Sequence, residues 1–217
     1  MRALDYPGFP PDQPGVVAAD GEWIVLGGAP VPETLVHGRT CVLAVGSNGS
    51  PPVLFAKLRA GGVDAGVALL PYDVRGLAVA HSAHVSRGGY FAATPSAAPG
   101  GVVRVVASWF DAAQLAALDA TELSYERQRL PASVTGAPAR AEVYVSRWGV
   151  LAPAGVPVAS TTQNRVHRVL ARDPGLARLL PLADPEATAA VLGRDEALRV
   201  AVRERLLDLG WVLPTGW

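Results

Sequence analysis

Apolar residues in the first half of this chain come in short runs broken by glycine and proline. The clearest is Cys41-Val42-Leu43-Ala44-Val45, whose unbroken apolar character predicts a strand buried on both faces. It stops at Gly46-Ser47-Asn48-Gly49-Ser50-Pro51, small polar residues that suit a tight turn. Pro52-Val53-Leu54-Phe55-Ala56-Lys57-Leu58 then reads as a helix with proline in its first turn and a stop at Gly61-Gly62. Upstream, residues 1–20 carry Pro7, Pro10, Pro11 and Pro14 and predict an irregular arm, followed by a short strand over 22–26.

Downstream the pattern predicts strands over 66–70 and 77–81, with a turn holding Pro71 and Gly76 between them. Further strands are expected over 90–94 and 102–109, separated by a turn at Pro99-Gly100-Gly101. Strands so spaced suggest a curled sheet or barrel rather than alternating βαβ units. A compact helix over 110–119 follows, with Asp111 as N-cap and Leu115 and Leu118 on one face. Strands are expected over 125–130 and 141–146. Beyond Pro157 the texture becomes helical, with segments at 161–172, 184–192 and 194–209.

The length, 217 residues with half of them apolar, fits one large domain or one domain plus a helical extension. Formal charge is zero and arginine is scattered, so no nucleic-acid or anionic-membrane surface is expected. Of the 19 basic residues only Lys57 is lysine, a bias that suggests a GC-rich bacterial coding sequence. The single cysteine, Cys41, excludes an internal disulfide and reads as a small buried hydrophobe. The N-terminal residues lack the apolar core of a signal peptide, and no apolar run reaches the roughly 18 residues of a membrane span. The expectation is a cytoplasmic protein.

Three segments carry the candidate chemistry: the turn Val45-Gly46-Ser47-Asn48, the stretch His84 to Thr94, and Leu118-Asp119-Ala120-Thr121-Glu122 leading to Tyr125. In that order, over about residues 40–150, the set resembles the gamma-glutamylcyclotransferase-like family. That family has a Y-G-S-N turn after its first strand and a short helix ending L-D-x-x-E before a later one. The resemblance implies an α+β fold, a small mixed β-barrel flanked by helices. Residues 1–39 would form an N-terminal arm with a short strand, 40–150 the barrel, and 151–217 a helical C-terminal extension packed on it. It also implies that a γ-glutamyl amide cyclises on itself to 5-oxoproline, with no metal or cofactor.

On that reading Glu122 is the general acid/base, which requires a partly desolvated carboxyl. Backbone N–H groups of Gly46, Ser47 and Asn48 hold a carboxylate or the developing oxyanion, and Val45 and Tyr125 line the substrate site. Each residue also has a plainer reading: Glu122 as a solvated acid at a helix end, Ser47 and Asn48 as turn residues, Tyr125 as strand packing. Two positions depart from the family. Val45 stands where it has tyrosine, and Leu123 where glycine often follows the glutamate, which suggests a less polar or differently shaped ligand. His81 and His84, three apart in a strand–loop context, do not make a zinc pair, and Ser47 lacks a nucleophile frame. A binding protein that keeps the pocket without turnover is the rival reading. A third makes the helical tail an interaction surface. Arg165, His167 and Arg168 are expected on a solvated helix face, and Trp211 and Trp217 are expected to pack the tail back onto the body. The resemblance implies a small-molecule partner with a γ-glutamyl-like group, and oligomeric state stays open.

Overall fold

The computed structural model describes residues 2–216. The chain is α+β, a large mixed sheet with six α-helices among the described residues. Sheet order is β2-β1-β4-β5-β3-β7-β6, where β1 is Gly15–Val17, β2 Trp23–Val25, β3 Thr40–Ala44, β4 Val67–Val85, β5 Phe91–Phe110, β6 Tyr125–Arg129 and β7 Glu142–Ser146. Two short strands, β8 (Val150–Leu151) and β9 (Val212–Leu213), branch from β4. The order has two free ends, β2 and β6, so the sheet is open and the closed barrel expected from the sequence does not form. The predicted short strands are instead two long ones. Pro71 and Gly76 lie inside β4, because Arg75 and Thr135 exchange backbone hydrogen bonds of 2.9 and 3.1 Å and hold the strand in pairing as it bends. Gly76 takes φ +84°, and a Cβ there would stand 2.5 Å from the Ser133 carbonyl, so only glycine fits that bend. Pro99-Gly100-Gly101 is absorbed into β5 in the same way.

The chain divides into two compact units. One takes Pro7–Ala78 and Ala97–Val145; the other takes the N-terminal residues through Tyr6, Val79–Ser96 and the chain from Ser146 on. In the first unit β3 pairs antiparallel with β5, Cys41 opposite Trp109 and Leu43 opposite Ala107, and parallel with β7 at Val42 and Leu43. Cys41, Val42 and Leu43 are all buried, as a strand covered on both faces must be. Burial pushes the Cys41 thiol up to about 12, so it stays protonated and inert.

Helix α1 (Pro51–Ala60) follows the turn, with Pro51 and Pro52 at its start and Leu54 and Leu58, four apart, buried against Val42, Val106 and Phe110. Helix α2 (Ala112–Asp119) opens on a reciprocal capping box. Asp111 accepts from the Gln114 backbone N–H at 2.9 Å and the Gln114 side chain accepts from the Asp111 N–H at 3.1 Å. Leu118 is buried and Leu115 packs partly against the same core, as their spacing predicted.

In the second unit, α3 (Gln163–Leu170), α4 (Pro174–Leu179), α5 (Pro185–Arg194) and α6 (Glu196–Asp208) enclose a core that includes Phe91, Leu151, Leu170 and Leu206. Asp173, Asp184 and Asp195 cap α4, α5 and α6, each accepting from the backbone N–H three residues on. Trp211 packs against this core, and Trp217 lies outside the described residues. Gln163, Val166, His167 and Leu170 form the buried face of α3, which corrects the expectation that His167 faces solvent.

Candidate functional site

Strand β3 delivers the chain into a single 3-10 turn, Ser47–Gly49, closed by Gly49 N–H to Gly46 O at 3.0 Å and Ser50 N–H to Ser47 O at 3.0 Å. Gly49 is buried against Ala44 and Val106, which fixes the turn to the core. The backbone N–H groups of Gly46, Ser47 and Asn48 donate to no acceptor among the described residues. These three consecutive donors at the strand–helix junction are thus left for solvent or a ligand.

Glu122 comes from the other side. After α2 the chain closes a turn, Glu122 N–H to Asp119 O at 3.1 Å and Tyr125 N–H to Glu122 O at 2.8 Å, and enters β6. The buried Leu118 anchors the helix end and receives the Thr121 hydroxyl at its carbonyl, 2.8 Å. These contacts set the Glu122 side chain at 12 % exposure, so it is not a solvated acid at a helix end.

The two elements meet in a triangle. Asn48 Nδ2 donates to Glu122 Oε1 at 3.0 Å, Lys57 Nζ donates to the same oxygen at 2.6 Å, and Lys57 Nζ also donates to Asn48 Oδ1 at 2.7 Å. The Asn48 side chain therefore does more than shape its own turn. The close approach of α1 to α2 supports the triangle. A Cβ on Gly61 would sit 2.6 Å from the Ala117 Cβ, so a side chain there would drive the helices apart. Glu122 Oε2 takes no hydrogen bond among the described residues and is not sealed in the interior. Of the three Lys57 N–H donors, one likewise has no protein acceptor.

Beneath the triangle lies a second charged network. Arg127 clamps Asp119 with two bonds, Nε to Oδ1 at 2.9 Å and Nη2 to Oδ2 at 3.1 Å, and reaches Glu142 with its other nitrogen. The Tyr144 hydroxyl donates to Asp119 Oδ1 at 2.6 Å. Burial works against the Asp119 charge, but the Arg127 and Tyr144 bonds hold its carboxyl below the ordinary range. The Tyr144 phenol is pushed up by burial, by its bond to Asp119 and by the Asp119 and Glu122 charges, so it remains a neutral donor.

Lys57 was singled out in the sequence only as a compositional oddity. Its uniqueness was the available signal: in a chain whose other basic residues are all arginine, the one ammonium contacts the candidate acid. A compact point charge on a flexible stem suits a crowded carboxylate where a planar guanidinium needs a wider slot. Tyr125 packs partly buried against the first core, Val45 is half-buried just before the turn, and Leu123 is 67 % exposed and points to solvent. Ser47 is half-buried and its hydroxyl takes no partner among the described residues.

His81 and His84 lie in the other unit. His81 is buried, with Nδ1 donating to the Phe91 carbonyl at 2.9 Å and Nε2 accepting from the Thr161 N–H at 3.1 Å, the neutral tautomer that burial also favours. His84 Nδ1 bonds Ser82 Oγ at 2.5 Å, and that hydroxyl bonds Ser146 Oγ at 2.7 Å. No group of three or more His, Cys, Asp or Glu side chains suited to a metal ion occurs among the described residues. No helix among them is long and apolar enough to cross a membrane. Compared with known protein families, curated proteins and solved structures, the chain matches none.

Proposed function

We propose that this chain is a divergent gamma-glutamylcyclotransferase-like enzyme, and that Glu122 and the Gly46–Asn48 turn together cyclise a γ-glutamyl amide to 5-oxoproline. The observation that carries this reading is the Asn48–Lys57–Glu122 triangle. It ties the free N–H groups of the turn to a mostly buried carboxylate with one oxygen engaged and the other open.

The steps follow from the groups available. The substrate enters with its α-amine as an ammonium, and Glu122 Oε2 takes one proton from it. The freed nitrogen attacks the γ-carbonyl carbon of the same molecule, forming the C–N bond of a five-membered ring. Charge gathers on the former carbonyl oxygen, where the Gly46, Ser47 and Asn48 N–H groups are the donors at hand. Loss of one such donor costs about 3 kcal/mol of barrier. The carbon–nitrogen bond to the leaving amine then breaks as Glu122 returns the proton to that nitrogen, and the extra proton left on the ring nitrogen passes through the same carboxylate to the released amine. The products are 5-oxoproline and the free amine. Because nucleophile and electrophile share one molecule, the protein mainly holds the bent pose. The free Lys57 N–H suits the substrate α-carboxylate, while its bonds to Oε1 and Asn48 keep Glu122 oriented.

The Lys57–Glu122 ion pair also favours a second reading, a binding protein in which the pair recognises the zwitterionic end of a γ-glutamyl compound without turnover. A panel of γ-glutamyl amines, dipeptides and glutathione separates the two. Cyclisation by wild type that is lost in Glu122→Gln supports the enzyme. Thermal stabilisation by the same compounds without any turnover supports the binding protein.

A further inference from the structure

The second unit contains a cavity of about 480 Å³ whose lining includes Ser160, Thr161, Arg165, Arg168, Val169 and Arg172. Its floor is a rigid strip. Ala159 pairs with Ala80, the Ser160 N–H donates to the Val79 carbonyl at 2.8 Å, and the Thr161 N–H donates to His81 Nε2 at 3.1 Å. Its wall is one face of α3 and the turn after it, because positions 165, 168, 169 and 172 recur at helical spacing. The opposite face, Gln163, Val166, His167 and Leu170, is buried, and Gln163 locks the helix by bonding both the N–H and the carbonyl of Phe91 at 2.8 and 3.0 Å. The arginines are therefore held toward the cavity by the packing of the helix behind them.

No side chain of Arg165, Arg168 or Arg172 forms an ion pair or hydrogen bond among the described residues. No acidic residue lines the cavity, and the sequence contains no Asp or Glu from Val143 to Arg172. Cations in the last turn of a helix complement its dipole, which accounts for Arg168. The same argument works against Arg165, which sits in the first turn beside N–H groups that Thr162 does not cap with its side chain. Three arginines lining one cavity with no counter-charge make it electropositive, and a bound anion would balance that charge.

We propose that this cavity is a binding site for a small phosphorylated metabolite. Arg165, Arg168 and Arg172 would grip the phosphoryl oxygens, the Ser160 and Thr161 hydroxyls would add donors, and Val158 and Val169 would cover the organic part. The guanidinium fork matches phosphoryl geometry bidentately. A concave volume of this size belongs to the small-molecule range of roughly 300–1,000 Å³ rather than to a flat nucleic-acid surface.

The test uses the full chain with inorganic pyrophosphate as probe, titrated calorimetrically at constant ionic strength, with citrate and a short RNA duplex as competing ligands. Saturable one-to-one binding of pyrophosphate is expected. Arg165→Ala with Arg168→Ala weakens it by at least about 30-fold while the unfolding temperature without ligand stays at the wild-type value, since both side chains are exposed. Arg59→Ala, an exposed arginine of the other unit, leaves binding unchanged. The proposal is overturned by absence of saturable binding, by equal binding in the double variant, by citrate binding as tightly as pyrophosphate, or by the RNA duplex binding more tightly than either.

Discussion

Replacing Lys57 by methionine keeps most of the side-chain volume and removes the charge and three donors. Glu122 then retains only Asn48 as a partner for a carboxylate that is 12 % exposed. Exposed ion pairs contribute about 0–1 kcal/mol, whereas breaking a fully buried pair costs about 3–5 kcal/mol. With side chains 23 % and 12 % exposed, the Lys57–Glu122 bridge lies between these limits, and Lys57→Met should cost about 2 kcal/mol. For a chain of this size that is a fall of about 6 °C in unfolding temperature. Glu122→Gln alone should cost about 1 kcal/mol, because the amide keeps an acceptor for Lys57 and Asn48. The double variant removes both charges, so its destabilisation should fall short of the sum of the singles by about 1–2 kcal/mol. Urea unfolding at neutral pH of wild type, both singles and the double variant closes the cycle. A coupling below about 0.5 kcal/mol would refute the triangle as an interacting unit.

Tyr144→Phe removes the 2.6 Å bond to the charged Asp119 and should cost about 1–2 kcal/mol by the same unfolding assay. Gly61→Ala places a methyl group 2.6 Å from Ala117 and should cost about 1–3 kcal/mol by forcing α1 from α2. Under the proposed mechanism it should also slow turnover by misplacing Lys57. His84 and His167 are both pushed down to about 4, in each case first by burial, with the Arg203 charge adding to His84. The unfolded chain therefore binds protons that the folded chain refuses, and stability is fully present above pH about 6.5 and lost as pH falls toward 4. His167 is 1 % exposed and neither ring nitrogen has a partner among the described residues, so His167→Leu should flatten that acid loss by on the order of 2 kcal/mol, measured as unfolding free energy at pH 5 against pH 7.5.

Features set by neighbouring residues were legible in the sequence. The apolar run of β3, the proline start of α1 and the Asp111 cap each depend on local chemistry, and the structure realises each one. Long-range pairing was not legible. Pro71-to-Gly76 carries every mark of a turn, yet β4 runs through it because Thr135, sixty positions away, supplies backbone partners at Arg75. The Pro99-Gly100-Gly101 segment misled for the same reason, and with both turns gone the short-strand barrel became an open sheet. Strand β1 was hidden in a proline-rich arm, although Val16 and Val17 pair with both β2 and β4. Helix α4 was missed despite its Asp173-Pro174 start, because its 6 residues show too little periodicity. The sequence paired the turn with Glu122 only through family resemblance; their meeting across 74 positions depends on how α1 and α2 pack. Lys57 stood out in the sequence only as the single lysine, and its pairing with Glu122, like the unpaired arginines of the Arg165 cavity, needed coordinates, since neither periodicity nor spacing shows which charges meet.

The most direct test of the central claim is the identity of the product. A γ-glutamyl amide turned over by the purified chain should yield 5-oxoproline and free amine in equal amounts by proton NMR, with no free glutamate. That outcome requires the substrate amine, rather than water, to attack. The account predicts it for wild type and its loss in Glu122→Gln, a variant whose fold the unfolding assay checks separately. Glutamate in place of 5-oxoproline, or undiminished cyclisation in Glu122→Gln, would contradict it.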